Sequence, residues 1–455
     1  MKETMTRAAA ALERADDALH ACLTGRAGRI WLIAMPLLTA AAFLLLMSTR
    51  TLALLDGADT AVRLCTLGLL ALPALVMALQ AADVVKRRAG SALELLMLCA
   101  LAGAAMLARV SFIERSAGDY DFYLAGWIDQ LAGQSFSKSM RGTVGEYNVL
   151  YQYILFALTR LPVVPLYAVK AVSFLGDAML AGGIARLCAR EGKPSAAAYA
   201  AALLLPTAIL NGGMFAQCDS LYAACAVWAL ALAIEGRHTG SAACFALALS
   251  FKLQAAFVLP VVVVLWAGRR LRLGDALVFL MTLIAVALPA MLGGKSPAAI
   301  LGVYTAQTGI YTGLCYNAAS LFGLMETAGL DVYAYGNFAM ALAAGACIAI
   351  AAWGVSRAQA LDADGVVRIA MLMVTAAVYL LPRMHERYFY LADMLALALA
   401  CRDRRYAPAA ALMALASLAA YWETAIPLAA ASAMVLAAWA YACALPGRSE
   451  SAPRD

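Results

Sequence analysis

The sequence predicts an all-α polytopic membrane protein of about fourteen transmembrane helices, a bundle whose long first outer loop carries interfacial helices. Three observations predict it. Hydrophobic residues make up 64% of the 455 positions and charged residues only 14%, with a mean hydropathy of +0.80; soluble chains run at roughly 45–50% apolar and about 25% charged. Apolar runs near span length, roughly 17–25 residues, recur from Ile30 onward. The 34 Lys and Arg residues fall unevenly between alternate loops. This composition excludes a soluble enzyme, a disordered regulator and a nucleic-acid-binding domain. The net charge of +6 needs no nucleic acid, because basic residues are retained on cytoplasmic loops.

The leading segment contains ALERADDALHACL, which reads as a short amphipathic helix with His20 solvated. No secretory signal is evident, since the first apolar run is as long as a true span. Spans are placed near 29–48, 64–85, 92–112, 166–189, 195–211, 218–235, 239–252, 255–268, 275–292, 336–356, 366–383, 388–400, 406–421 and 425–445. Segment 147–161 (YNVLYQYILFALTRL) is apolar but interrupted by Asn148, Gln152 and Arg160, so it either spans or lies along the interface. Charge decides. With the N-terminus inside and 147–161 left out, twenty-two Lys and Arg lie on the inner side, including Lys86, Arg87, Arg88, Arg190, Lys193, Arg269, Arg270, Arg272, Arg402, Arg404 and Arg405. Ten lie outside. Inserting 147–161 would turn fourteen of the inner residues outward, against the positive-inside rule. Both termini are therefore expected in the cytoplasm.

Two outer loops are long, 111–165 and 293–331. In the first, Leu124, Trp127, Ile128 and Leu131 of DYDFYLAGWIDQL recur at helical spacing, with Asp121, Asp129 and Gln130 elsewhere. That pattern suits a helix at the membrane surface with one face in lipid, and residues 147–160 read as a second. The other loop carries VYTAQTGIYTGLCYN, an aromatic stretch suited to a mobile lid. The eleven cysteines, such as Cys65, Cys99, Cys225 and Cys347, lie mostly in apolar runs without a CxxC or Cys/His cluster, which argues against a zinc or redox site. Cys218 and Cys315 both fall on the outer side, where a disulfide between them is one option.

The unusual polar residues crowd that same side. Asp119 and Asp121 open the first loop helix, and Asn211, Gln217 and Asp219 cluster in NGGMFAQCDS. Lys252 and Gln254 sit in SFKLQ, and Arg383, His385, Glu386 and Arg387 in LPRMHERY. Asp177 sits half way along an apolar span. Charged groups near a bilayer are costly, so a gathered set marks a functional site by default. Such a set suits glycosyl transfer: a carboxylate such as Asp119 takes the acceptor's proton, and Lys252, Arg383 and Arg387 hold a departing phosphate, with His385 adding a hydrogen bond or a proton. Each piece also has a plainer reading. Asp119 suits a helix N-cap, Asp177 a pair with Lys170 or another polar helix neighbour, Lys252 a snorkelling side chain, and the Arg and Glu of RMHER a loop-fixing ion pair.

These strings together resemble the GT-C superfamily of membrane glycosyltransferases. Within it they are similar to bacterial mannosyltransferases related to the second mannosyltransferase of GPI-anchor synthesis. The resemblance rests on DYDFYLAGW at 119–127, YNVLYQYILFAL at 147–158, VKAVSFLGD at 169–177, NGGMFAQCDS at 211–220, LALSFKLQAAFVLP at 247–260 and LPRMHERYFYLAD at 381–393, covering roughly residues 109–400. It implies inverting transfer of a hexose, mannose favoured, from a polyprenyl-phosphate sugar to a glycan or glycolipid acceptor on the outer face of the cell membrane. The superfamily's first-loop base falls on Asp119. Asp121 completes a DxD-like pair of the kind that holds a divalent cation, Mg or Mn, although many relatives need none. Substrate-binding positions fall on Asp177, on Gln217 and Asp219, on Lys252 and Gln254, and on Arg383, His385, Glu386 and Arg387.

The chain departs from the pattern where relatives carry prolines after Tyr-Asn and it has Val149 and Leu150. The expected organisation is a cytoplasmic segment 1–28, two extra helices in 29–91, a catalytic module 92–400, and C-terminal helices with a short tail in 401–455. A transporter or flippase of lipid-linked sugars is the alternative; it calls for polar residues spread through the membrane depth. A non-catalytic scaffold subunit is a third reading.

Overall fold

The computed structural model describes residues 10–11, 13–18, 21, 26–116, 118–142, 144–145, 147–307, 313–327, 332–422 and 426–446. His20 and residues 308–312 of the expected lid lie outside the described residues. The described chain is almost entirely helical; its one sheet is a parallel pair of two-residue strands, Cys315–Tyr316 and Met384–His385.

Among the described residues seven helices are long and apolar enough to cross a membrane: Ile30–Thr49, Thr60–Arg88, Ala92–Val110, Pro165–Leu187, Asp275–Leu292, Tyr335–Ser356 and Ala363–Leu380. An eighth span results if the bent pair Ala196–Leu204 and Pro206–Gly213 counts as one. Their 49° bend follows from Pro206, which lacks an N–H and holds Leu205 extended. Other predicted spans are shorter helices, including Asp219–Ile234, His238–Phe251, Tyr390–Arg402, Ala407–Tyr421 and Leu428–Ala444. The protein is multi-pass.

Helix ends follow local chemistry. Ser91 and Ser195 accept from the N–H groups of Glu94 and Ala198 at 3.2 Å each, and the Asp362 carboxylate from Gly365 at 2.8 Å. Lys86, Arg87 and Arg88 close the helix Thr60–Arg88, where cations favour the negative end of the dipole.

The apolar windows of Pro165–Leu187 and Ala363–Leu380 are 78% buried, against 11% for Asp275–Leu292 and 17% for Ile30–Thr49. The first two therefore form the protein interior, and the others stand at the lipid-facing periphery. One end of the bundle gathers basic turns: Arg88 donates to Pro194, Arg190 and Arg402 to backbone carbonyls of each other's turns, and Arg270 to Leu361. The other end carries the two long loops.

The first loop folds into short helices, Ala125–Leu131, Phe136–Arg141 and Val149–Leu158, preceded by a π-helical turn Tyr120–Leu124. Ten residues of helix reach about 15 Å, too short to span, so Val149–Leu158 lies within the loop. The expected lipid-facing stripe requires correction. Leu124, Ile128 and Leu131 are buried in protein, at 7%, 5% and 0% exposure, while Phe122 is 82% exposed. Helical spacing finds an apolar face but does not say whether protein or lipid covers it. Cys218 is buried as a thiol and Cys315 Sγ lies 3.5 Å from the Ala318 carbonyl, so no disulfide joins them.

Candidate active site

Five chain segments meet at the loop-bearing end around one pocket of about 710 Å³, counting the part open to solvent, and four of them carry its charged and amide side chains. Asp119 enters it from the start of the π-helical turn. Gln217 enters from the turn after Pro206–Gly213, Lys252 and Gln254 from the break after His238–Phe251, and Arg387 from the 3-10 turn Glu386–Phe389.

Each position is fixed by backbone. Ala216 takes φ +52°, unusual for a residue with a Cβ, and thereby turns Gln217 inward. The Gln217 N–H donates to Asn211 O at 3.0 Å, and its carbonyl accepts from Ser173 Oγ at 2.6 Å. Lys252 ends its helix in an extended conformation, φ −155° and ψ 139°, which carries its side chain out of the helical register. The strand pair holds the turn before Arg387: Arg383 N–H donates to Leu314 O at 2.6 Å, and Tyr316 stacks on His385 at 4.7 Å between ring centres.

Asp119 is not a capping residue. Its Oδ2 accepts from Gln217 Nε2 at 2.8 Å and from Arg387 Nη2 at 2.8 Å. Arg387 also pairs with Glu386 at 3.1 Å. Beneath them Lys252 Nζ sits 2.5 Å from Asp219 Oδ1, and Asn211 Nδ2 donates to the other Asp219 oxygen at 2.9 Å and contacts Tyr421 OH at 2.8 Å. Two buried atoms of pocket-lining residues, Arg387 Nε and Gln254 Oε1, have no hydrogen-bond partner within the described protein. Native structures rarely leave such groups unused.

Burial, with Arg387 and Lys252 nearby, pulls the His385 imidazole down to about 3, so it is neutral at physiological pH. Burial raises the Glu386 carboxyl, an effect Arg387 opposes. Burial also works against the Arg387 charge, yet Glu386, Tyr388 and Asp119 hold the guanidinium firmly protonated.

The expected site residues divide. Asp119, Gln217, Lys252, Gln254 and Arg387 line the pocket, with Asp219 and Glu386 directly behind. His385 stands one layer back against Tyr316 and Tyr388, and Arg383 is exposed beyond it. Asp177 is elsewhere. It pairs with Arg109 Nε at 2.7 Å and accepts from Tyr390 OH at 2.9 Å, both inside the bundle. The Lys170 partnership does not form; Lys170 donates instead to the carbonyls of Phe112, Ile113 and Arg115. Asp121 accepts from Ser116 Oγ at 2.9 Å. The donors around Asp119 are N–H groups, and among the described residues no three His, Cys, Asp or Glu side chains gather as a metal set. These surroundings do not fit a divalent cation.

An aromatic wall was not anticipated. Tyr123, Trp127, Tyr147 and Tyr151 line one side of the pocket. Trp127 meets Tyr147 edge-on at 5.6 Å, and Lys252 Nζ lies 5.4 Å from the centre of the Tyr147 ring. Tyr147 OH approaches Gln217 Oε1 at 3.5 Å. Gly145, at φ +66°, lies flat on Trp127: a Cβ there would stand 2.4 Å from the ring. The dense aromatics of DYDFYLAGW and YNVLYQY were the available signal.

Residues 146–268 match the family model of the alpha-(1->6)-mannopyranosyltransferase N-terminal domain, MptA_B family. The matched stretch contains Tyr147, Gln217, Asp219, Lys252 and Gln254. It supports a glycosyltransferase, and within that class a mannosyltransferase. No curated protein matches the chain.

Proposed function

We propose that the protein is a GT-C-type mannosyltransferase. It moves a hexose, mannose favoured, from a polyprenyl-phosphate sugar to a glycan or glycolipid acceptor at the outer face of the cell membrane, with inversion and with Asp119 as base. The observation that carries this reading is the meeting of Asp119, Gln217 and Arg387 at an aromatic-walled pocket. The gathering of basic turns at the opposite end supports placing that end in the cytoplasm.

The chemistry follows from the contacts. The donor phosphate draws on Arg387, whose Nε is unengaged, and on Lys252 beside it; the sugar packs on the aromatic wall. As Arg387 turns to the phosphate, the Asp119 carboxylate is released toward the acceptor. The acceptor oxygen bonds to the anomeric carbon while the carbon–phosphate-oxygen bond breaks; the phosphate keeps the electron pair, and the hydroxyl proton passes to Asp119. Gln217 holds the carboxylate in place throughout. A flippase would need a polar path through the bilayer. Here the buried charges at depth form separate local contacts, Arg109 with Asp177 and Asp393 with Ser417.

The test uses membranes containing the wild type or Asp119→Asn, labelled polyprenyl-phosphate hexoses and cell-envelope acceptor. Label passing to acceptor from the mannosyl donor with the wild type alone supports the proposal. Labelled lipid crossing the bilayer with no transfer from any hexose donor would replace it with the flippase.

A further inference from the structure

No described residue of the second outer loop lines the pocket, yet the loop grips both segments that bring cations to it. Its helix Pro297–Gln307 does so through one hydroxyl. Asn148 caps the helix Val149–Leu158, its Oδ1 accepting from the Val149 N–H at 2.7 Å, which leaves the amide Nδ2 to donate to Tyr304 OH. That hydroxyl donates in turn to the Leu249 carbonyl at 3.1 Å, and a hydroxyl can do both at once. Leu249 lies in the last turn of His238–Phe251, where the final four carbonyls lack partners within the helix. Lys252 follows directly on that helix. Asn148 adjoins Tyr147, and Lys252 Nζ lies 5.4 Å from the centre of the Tyr147 ring. Tyr304 thus braces Lys252 twice, through the helix it ends and through the ring it lies against.

Farther along, the same loop reaches the turn that carries Arg387. Cys315–Tyr316 pair with Met384–His385, and Asn317 bridges to His385. The Tyr316 ring lies nearly parallel to the His385 imidazole, 14° between planes, two residues before Arg387. Tyr316 OH accepts from the Gly313 N–H at 2.7 Å within the loop, so it is the ring that bears on the Arg387 turn. Asn317 Nδ2 anchors this stretch to the Ala420 carbonyl at 2.6 Å. We infer that Tyr304 and Tyr316 are positioning residues, which hold Lys252 and Arg387 where one donor phosphate meets both cations. The inference rests on the donor-phosphate reading above and adds to it the element that sets the cations. Neither tyrosine lines the pocket, so both act on the donor through the residues they hold.

The experiment uses the full chain in mild detergent and measures direct binding of undecaprenyl phosphate together with donor and acceptor KM for hexosyl transfer. Tyr304→Phe loses only the hydroxyl, and Tyr316→Leu loses the ring. Each should weaken undecaprenyl phosphate binding and raise the donor KM by about fivefold, the scale of one lost hydrogen bond or ring contact, and leave the acceptor KM unchanged. Tyr316→Phe, which keeps the ring, should restore the wild-type values. A merely structural role would move both KM values alike or lower kcat with the folded fraction, and either result overturns the inference. Lipid binding and donor KM at wild-type values in Tyr304→Phe and Tyr316→Leu also overturn it. So does a rise in acceptor KM alone, which would place the effect of Tyr304 on the aromatic wall. A wild type that transfers hexose without binding undecaprenyl phosphate overturns the donor reading itself, and this inference with it.

Discussion

Asp119 Oδ2 stands 2.8 Å from Arg387 Nη2, and the same oxygen accepts from Gln217 at 2.8 Å. The proposed base is therefore engaged by a cation until something else claims that cation. A donor phosphate is the natural competitor, which couples donor arrival to the freeing of the carboxylate. The Asp119 side chain is 34% exposed, so its ion pair contributes little to folding, about 1 kcal/mol or less. Asp119→Asn should accordingly leave thermal unfolding in detergent nearly unchanged while lowering transfer by roughly 10²–10⁴-fold, the range for a lost general base. Transfer surviving within tenfold would move the base elsewhere, with Asp121 next to be tested.

The Lys252–Asp219 pair behaves in the opposite way. Its side chains are 5% and 1% exposed and 2.5 Å apart. Removing one partner strands a buried charge, at a cost of about 3–5 kcal/mol. Lys252→Met should therefore lower the melting temperature markedly, and Lys252→Met with Asp219→Asn should recover most of the loss. Neither variant should regain transfer, because Lys252 itself faces the pocket. Thermal melts and transfer assays on both variants and the wild type decide this. A double variant as unstable as the single one would mean the pair is not what holds that turn.

Much of this site was legible in the sequence, for a simple reason. Charged and amide side chains inside apolar runs are conspicuous, so Asp119, Gln217, Lys252 and Arg387 stood out, and the charge asymmetry placed their loops on one side. Which of them touch was not legible. Asp177 was grouped with the substrate-binding positions because sequence shows an acid in an apolar span but not its partner; Arg109 reaches it from a separate helix, beside the break at Leu205–Pro206 whose freed Leu203 carbonyl also takes an Arg109 hydrogen bond at 2.8 Å. Trp127 and Tyr147 read as interfacial aromatics, since nothing local separates a ring facing a pocket from one facing lipid headgroups. The parallel pairing of 315–316 with 384–385 depends on long-range register, which two-residue strands do not announce.

The Arg109–Asp177 pair yields a prediction that separates structure from substrate contact. Both side chains are buried, at 0% and 3% exposure, and they tie Ala92–Val110 to Pro165–Leu187 and, through Tyr390, to Tyr390–Arg402. Arg109→Met should reduce yield and melting temperature by the stranded-charge mechanism, while Arg109→Met with Asp177→Asn should be milder. The protein that remains folded should keep its KM for donor. A raised KM at unchanged melting temperature would instead place Asp177 in contact with substrate.

His385 gives the clearest pH dependence. It is buried against Tyr316 and Tyr388, with Arg387 and Lys252 as nearby cations, and its imidazole is drawn from about 6.5 down to about 3. Between those values the folded protein binds fewer protons than the unfolded chain. Stability from keeping His385 neutral is therefore complete above about pH 6.5 and is lost progressively as pH falls toward 3. At pH 5 the loss is on the order of 2 kcal/mol. Glu386, 3.9 Å away, acts with the opposite sign, because a carboxyl raised by burial gains stability as it protonates. The wild type alone therefore understates the effect of His385. Comparison with His385→Gln, which cannot titrate, isolates it: from pH 7.5 to 5 the wild-type melting temperature should fall more steeply than that of the variant. Two curves falling in parallel would show that the imidazole is as readily protonated in the folded protein as in water, and that its stack on Tyr316 tolerates the charge.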